Sequence, residues 1–194
     1  MPTASRSKTN KQLGLITNGH LNFEFKARAA DIELLEKKLL ALHPLFIGED
    51  HQKDTYFHVK EGRLKLREGN IEQSLIWYQR PDTATAKQSD VLLYQHSPDK
   101  ALKEILIRVH GIKVVVDKRR RIYFIDNVKF HFDRVATLGN FVEVEAIDRD
   151  GSIGLPTLEA QCEKYARLFE IGQNDYVAGS YSDLLMRASE VAGN

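Results

Sequence analysis

The chain has 194 residues, of which 42% are hydrophobic and 28% charged, a balance typical of a globular protein and not of a disordered one. The formal net charge is +1, so overall charge gives no reason to expect a nucleic-acid partner. A single cysteine, Cys162, excludes an intramolecular disulfide, and no apolar run is long enough to cross a bilayer. The polar N-terminal segment lacks the apolar stretch of a signal peptide. We therefore expect a flexible tail at 1–19, one domain at 20–190 and a cytoplasmic location.

Most of the predicted elements are strands. Alternation of polar and apolar residues, bounded by turn residues, predicts strands at 22–28, 55–59, 63–67, 72–80, 90–96, 112–124, 128–135 and 141–147. Helical spacing predicts helices at 31–43, 98–110, 156–169 and 182–189. Residues 81–88 are predicted to form a loop. Because short turns join most of the strands, we predict an α+β fold in which eight antiparallel strands close into a barrel with flanking helices.

The polar faces of these strands carry mostly charged residues, and the charges are sorted by sign. A basic set lies on one strand and an acidic set on two others: Arg63, Lys65 and Arg67, against Asp133, Glu143 and Glu145. A face open to solvent usually mixes both signs. An antiparallel sheet with one solvated face would show the same alternation, and this alternative stays open. If the charged faces point inward, one cavity holds cations beside carboxylates.

Such a cavity suits a triphosphate and a divalent metal ion. A triphosphate carries about four negative charges near neutral pH and needs several Lys and Arg donors. Mg²⁺ and Mn²⁺ prefer carboxylate oxygens and keep water and phosphate oxygens as further ligands. Glu143 and Glu145 lie two residues apart on one strand face and can converge on a metal ion. Asp133 and Glu24 are candidates for further oxygen ligands.

Several blocks of the sequence resemble the CYTH domains, also called triphosphate tunnel metalloenzymes. Asn22-Phe-Glu24-Phe-Lys26 resembles the ExExK signature of that family. Further similar blocks are Gln52-Lys-Asp54-Thr-Tyr56-Phe57, Gly62-Arg63-Leu-Lys65-Leu-Arg67, Tyr78-Gln-Arg80-Pro81-Asp82, Lys118-Arg-Arg120, His131-Phe-Asp133, Gly139-Asn-Phe141-Val-Glu143-Val-Glu145 and Ser180-Tyr-Ser-Asp183-Leu-Leu. The resemblance covers about residues 20 to 186.

The resemblance implies an eight-stranded tunnel that binds a triphosphate and is most similar to the class IV adenylyl cyclase-like subgroup. It implies Mg²⁺ or Mn²⁺ held by Glu24, Asp133, Glu143 and Glu145. It implies phosphate binding by Lys26, Arg63, Lys65, Arg67, Arg80, Lys118 and Arg120, of which Lys26 and Arg120 are also the expected catalytic residues. The leading hypothesis is conversion of ATP to cyclic AMP and pyrophosphate.

Two alternatives stay open beside the cyclase. One is hydrolysis of thiamine triphosphate or inorganic tripolyphosphate, and the other is a module that binds a nucleotide or polyphosphate without turnover. Neither nucleic acid nor a membrane is expected as a partner, and a homodimer is left open. In the run from Lys118 to Arg121, alternation predicts that Arg119 and Arg121 point away from the cavity.

Two positions depart from the family pattern. Asn22 stands where the signature has its first glutamate and contributes an oxygen without charge, so the number of metal ions, one or two, is left open. The strand that usually ends in Lys-x-Pro reads Gln79-Arg80-Pro81. Either Arg80 replaces that lysine or one phosphate contact is missing.

Overall fold

A computed structural model describes residues 21–79, 87–97 and 99–192. The strands are β1 (Leu21–Arg28), β2 (Leu45–Phe57), β3 (Arg63–Glu68), β4 (Gln73–Gln79), β5 (Lys87–Gln95), β6 (Ile112–Ile125), β7 (Val128–Val135) and β8 (Gly139–Asp148). The helices are α1 (Ile32–Leu40), α2 (Lys100–His110), α3 (Leu155–Leu168) and α4 (Tyr181–Ala192). The predicted tail at 1–19 and the predicted helix start at Pro98 lie outside the described residues.

The eight strands form a closed antiparallel ring in the order β1-β5-β4-β3-β2-β6-β7-β8. All eight residues of β1 pair with the last strand, β8, from Leu21↔Asp148 to Arg28↔Phe141. The β1–β5 seam is shorter and rests on three residue pairs, from Asn22↔Ser89 to Glu24↔Lys87. Each strand of the ring thus pairs with a neighbour on both sides. The predicted α+β barrel of eight antiparallel strands is confirmed.

The main hydrophobic core lies outside the barrel, between the sheet and two helices. Outward side chains of β1, β7 and β8, such as Phe25, Phe130 and Val144, pack against α1 and α3. Helix α1 begins at a cap in which Asp31 accepts a hydrogen bond from the Leu34 amide at 2.9 Å. Cys162 of α3 is buried in this core. Because alternate residues occupy the outer face, the charged residues of the same strands point into the barrel.

Strand β2 is the largest difference from the predicted elements, because it begins ten residues earlier than the predicted start at residue 55. It pairs with β6 from Leu45↔Phe124 to Phe57↔Ile112. A register shift at Gly48, which has φ +145°, interrupts the alternation in its first part. Because charged residues lie on both faces of this part of the strand, the sequence lacks the polar–apolar alternation that would predict it.

None of the helices in the described part of the chain is both long and apolar enough to span a membrane.

Candidate active site

The barrel encloses a cavity of about 1050 Å³ whose wall is rich in charge. Its described lining includes seven cations: Lys26, Lys65, Arg67, Lys118, Arg120, Lys129 and Arg149. It also includes five carboxylates: Glu24, Asp54, Glu72, Glu143 and Glu145. The excess of cations favours an anionic ligand. The side chains come from strands far apart in sequence, and closure of the barrel brings them together.

The cavity collects most of the residues that the sequence singled out. Five of the expected phosphate binders line it, namely Lys26, Lys65, Arg67, Lys118 and Arg120, as do Glu24, Glu143 and Glu145. Arg63 is not part of the described lining, because its Nη2 lies 2.9 Å from Oδ2 of Asp183 on α4. Arg80 lies outside the described residues.

A buried carboxylate that the sequence analysis did not select, Asp54 of β2, organises three of these cations. Its Oδ2 lies 3.0 Å from the Lys65 ammonium and 2.8 Å from that of Lys118, and its Oδ1 accepts from Arg67 Nε at 2.8 Å. Burial opposes ionisation of Asp54, but the charges of Arg67, Lys118 and Lys65 outweigh it and hold its pKa well below the usual value. Asp54 thus keeps three like charges in one place.

Both lysines of this cluster have pKa values below the usual value of a lysine. Burial lowers the pKa of Lys118 to about 7 although Asp54 favours its charged form. Burial and the nearby Arg67 lower the pKa of Lys65 to about 8. Both groups are therefore sensitive to any anion that enters the cavity.

A second ion-pair cluster surrounds Arg120. Its guanidinium donates to Asp133 Oδ1 at 2.6 Å and to Glu143 Oε2 at 2.6 Å. The Lys26 ammonium lies 2.9 Å from Glu143 Oε1 and 3.9 Å from the centre of the Tyr181 ring. Burial opposes ionisation of Glu143, but Lys26 and Arg120 hold its pKa well below the usual value. Glu143 therefore fixes both expected catalytic cations.

Asp133, an expected metal ligand, takes a different place from the other carboxylates. It lies opposite Phe141 of β8, two residues along that strand from Glu143, and is fully buried. Its oxygens accept hydrogen bonds from Arg120 and from the Tyr181 hydroxyl at 2.7 Å. Asp133 is absent from the described cavity lining. Asp133 thus shares the Arg120 guanidinium with Glu143, whereas Glu24, Glu143 and Glu145 line the cavity itself.

His131 completes the Arg120 cluster as a neutral ring. Burial, together with Arg120 and Lys129, lowers its pKa to about 4. Its Nδ1 lies 3.2 Å from the Glu143 carboxylate and must carry the proton to make this hydrogen bond. Its Nε2 is buried and has no partner among the described residues.

The other two candidate metal ligands, Glu24 and Glu145, lie near Asn22. Glu24 of β1 is directly opposite Glu145 of β8, an arrangement that is unfavourable for two like charges. The Asn22 amide nitrogen donates to Glu145, and the buried Asn22 Oδ1 has no partner among the described residues. Three hard oxygen donors thus meet here. The described residues contain no cluster of three or more His, Cys, Asp and Glu side chains placed to hold a metal ion.

An apolar strip faces the charged part of the cavity. It is formed by β4 and β5 and comprises Ile76, Tyr78, Val91 and Leu93. Trp77 lies outside the cavity, with its indole nitrogen donating to the Glu61 carbonyl at 3.2 Å, and Tyr94 is exposed.

Comparison with known proteins agrees with this architecture. The family model for the CYTH domain matches residues 20–181. Adenylate cyclase CyaB from Aeromonas hydrophila is 27% identical over 177 residues, which cover 86% of this chain and 89% of that protein. The solved structure of PH1012 from Pyrococcus horikoshii OT3 is similar with a TM-score of 0.73 and 24% identity, covering 84% of this chain and 98% of its own. A conserved hypothetical protein from Pyrococcus furiosus has the same TM-score at 20% identity, covering 84% of this chain and 99% of its own. The matched residues span most of the described barrel, and the chain belongs to the CYTH domain family.

Proposed function

We propose that the cavity binds ATP with Mg²⁺ or Mn²⁺ and that the protein converts it to cyclic AMP and pyrophosphate. The observation that carries the proposal is the convergence of Lys65, Arg67, Lys118 and Arg120 in one enclosed space. Buried cations repel each other and lose hydration, so their grouping is costly without an anion. Asp54 and Glu143 offset part of this repulsion, and the phosphates of ATP would neutralise the remaining excess of cations in the described lining.

Binding and catalysis divide between the two ion-pair clusters. The Asp54 cluster presents Lys65, Arg67 and Lys118, whose remaining N–H groups suit phosphate oxygens. The second cluster presents Lys26 and Arg120, both oriented by Glu143. In cyclisation the ribose 3′-oxygen forms a bond to the α-phosphorus and pyrophosphate leaves. Lys26 and Arg120 are the groups that we assign to stabilising charge on the transferring phosphoryl group.

The chemistry of the donor set fits a hard divalent ion near β1 and β8. The groups that would hold it are Glu24, Glu145 and Asn22 Oδ1, which accepts no hydrogen bond from the described part of the chain. Mg²⁺ is usually bound by one or two carboxylates, with phosphates and water as further ligands, which agrees with so small a protein set. When bound, the ion would polarise the reacting phosphate and make the attacking hydroxyl more acidic. Its charge would also offset the repulsion between Glu24 and Glu145.

The apolar strip supports an organic triphosphate over an inorganic one. Ile76, Val91 and Leu93 offer no hydrogen bond to a phosphate, but they can cover a nucleobase. The similarity to CyaB, which is named an adenylate cyclase, points to ATP.

Product analysis tests the proposal. The protein is incubated with ATP, thiamine triphosphate and tripolyphosphate, each with Mg²⁺ and with Mn²⁺, and a chelator serves as the control. We expect cyclic AMP and pyrophosphate from ATP and no product with chelator. Orthophosphate as the only product would instead assign a hydrolase, and binding without any product would assign a binding module.

Triphosphate binding is expected to take up protons above pH 7. Lys118 and Lys65, with pKa values of about 7 and about 8, are partly neutral there in the free protein. Phosphate charge favours their ammonium forms and raises both pKa values. Uptake should therefore be seen at pH 8 and disappear below pH 6, where both lysines are already charged. Calorimetry in buffers of different ionisation enthalpy measures it. Equal binding enthalpies in all buffers at pH 8 would contradict it.

A further inference from the structure

The turn between β3 and β4 inserts a carboxylate of the protein itself into the cavity. Glu72, at the end of this turn, accepts a hydrogen bond from Arg67 Nη1 at 2.7 Å and one from Gln52 Nε2 at 3.0 Å, and it also pairs with Lys129. The three donors come from β3, β2 and β7. Burial opposes ionisation of Glu72, but Arg67 and Lys129 hold its pKa well below the usual value. The turn thus presents a permanent anion to three convergent donors.

The backbone of the turn is fixed. Asp50 accepts hydrogen bonds from the amides of Ile71 and Glu72, both at 2.9 Å. Gly69 packs so closely on Asp50 that an added Cβ would lie 2.6 Å from its carboxylate. The backbone therefore cannot carry Glu72 away without breaking these contacts, and any movement of the carboxylate has to come from its side chain.

The Glu72 side chain is more exposed to the cavity than that of Asp54. It retains 22% of its exposure, whereas Asp54 retains 2%. Arg67 divides its donors accordingly: Nε and Nη2 bind the inaccessible Asp54, and Nη1 binds Glu72 at the cavity surface. Of the donors that Glu72 occupies, Arg67 and Lys129 line the cavity and can be reached by an entering ligand, whereas Gln52 is fully buried and also donates to Asp50 at 2.7 Å.

We propose that Arg67 and Lys129 form a binding subsite for one phosphate group, and that Glu72 occupies this subsite in the free protein. The inference rests on the proposed function, because the phosphate belongs to the triphosphate. A carboxylate and a phosphate both offer charged oxygens to the same donors, but the phosphate carries more charge and more oxygens. The ligand displaces Glu72 by rotation of its side chain while the turn stays in place.

Because Glu72 occupies the subsite in the free protein, every ligand that uses the subsite binds with a lower apparent affinity. If Glu72 leaves it vacant for about a tenth of the time, the apparent affinity falls about tenfold. A monophosphate bound elsewhere in the cavity does not compete with Glu72. A triphosphate, held at the same time by the Asp54 and Arg120 clusters, brings a phosphate to the subsite at high effective concentration. Glu72 therefore lowers the affinity for a triphosphate that uses the subsite and leaves that for a monophosphate bound elsewhere unchanged.

Glu72→Gln tests the subsite, because glutamine keeps the size of the side chain but not its charge. The probe is non-hydrolysable imidotriphosphate with Mg²⁺, titrated calorimetrically. We expect binding about tenfold tighter than that of the wild type. Glu68→Gln is the matched control, since Glu68 lies on the same hairpin and pairs with the exposed Lys103 on α2. It should bind like the wild type, and Lys129→Gln should bind about tenfold more weakly.

Unchanged or weaker binding by Glu72→Gln overturns the proposal. Weaker binding that recovers with excess Mg²⁺ would make Glu72 a metal ligand and would overturn it as well. The wild-type titration tests the proposed function separately, because a triphosphate that binds with no difference between the variants leaves that function intact. Absence of binding by all the proteins overturns both.

Discussion

Glu145→Gln is expected to lower kcat/KM for ATP by about a thousandfold without lowering the stability of the protein. Glu145 faces Glu24 across the β1–β8 ladder, and removal of one charge weakens the hold on a divalent ion. The same change relieves the repulsion between two opposed carboxylates. A glutamine oxygen can still accept the hydrogen bond from Asn22. Steady-state kinetics with Mg²⁺ and thermal melting of the metal-free protein measure the two effects.

Glu49→Gln is the control for this prediction. Glu49 lies on a barrel strand, but its side chain is exposed and pairs with Arg119 at 3.4 Å. A surface pair of this kind contributes at most about 1 kcal/mol, so activity and melting temperature should stay as in the wild type. Full activity of Glu145→Gln, or a melting temperature several degrees below that of the wild type, would remove Glu145 from the proposed metal site.

Alternation along single strands made the inward faces predictable. In the run from Lys118 to Arg121, the structure places Lys118 and Arg120 in the cavity. Arg119 pairs with Glu49 and Arg121 with Glu36 of α1, both away from the cavity. A period of two residues is enough for this prediction, because it needs no knowledge of the neighbouring strands.

Register between strands and the ends of elements were not predictable in the same way. Asp133 shares a face with His131, but only its pairing opposite Arg120 of β6 shows that it binds this guanidinium, outside the described cavity lining. Asp54 lies on a strand whose first part lacks a regular pattern, and Glu72 lies in a turn. The signals were present nevertheless: Asp54 belongs to a block that resembles the family, and Lys129 shares a face with His131.

Arg63 shows why position along a strand matters as much as the face. It is the first residue of β3, where the strand reaches the end of the barrel and meets α4 rather than the cavity.

Several expectations from the sequence stay predictions. They are the metal-ligand and phosphate-binding roles, the domain boundaries, the homodimer and the cytoplasmic location.

Arg120→Ala is expected to destabilise the protein by about 3–5 kcal/mol and to abolish its stabilisation by triphosphate. Arg120 is 3% exposed and binds two carboxylates. Its removal leaves the fully buried Asp133 without its ion-pair partner, with the Tyr181 hydroxyl still donating to it. In the wild type, triphosphate at 100 times its dissociation constant adds about 2.7 kcal/mol to the free energy of unfolding. Urea unfolding and thermal melting, each with and without tripolyphosphate and Mg²⁺, measure both quantities.

Two further variants separate folding from binding. Arg120→Ala combined with Asp133→Asn removes the uncompensated buried charge, so part of the lost stability should return while the response to triphosphate does not. Arg119→Ala changes the adjacent residue, which is exposed, and should alter the free energy of unfolding by no more than about 0.5 kcal/mol. Its melting temperature should rise with triphosphate as much as that of the wild type. Equal losses of this response in Arg119→Ala and Arg120→Ala would contradict the assignment of the inward face, because only one of two adjacent strand residues can point into the barrel.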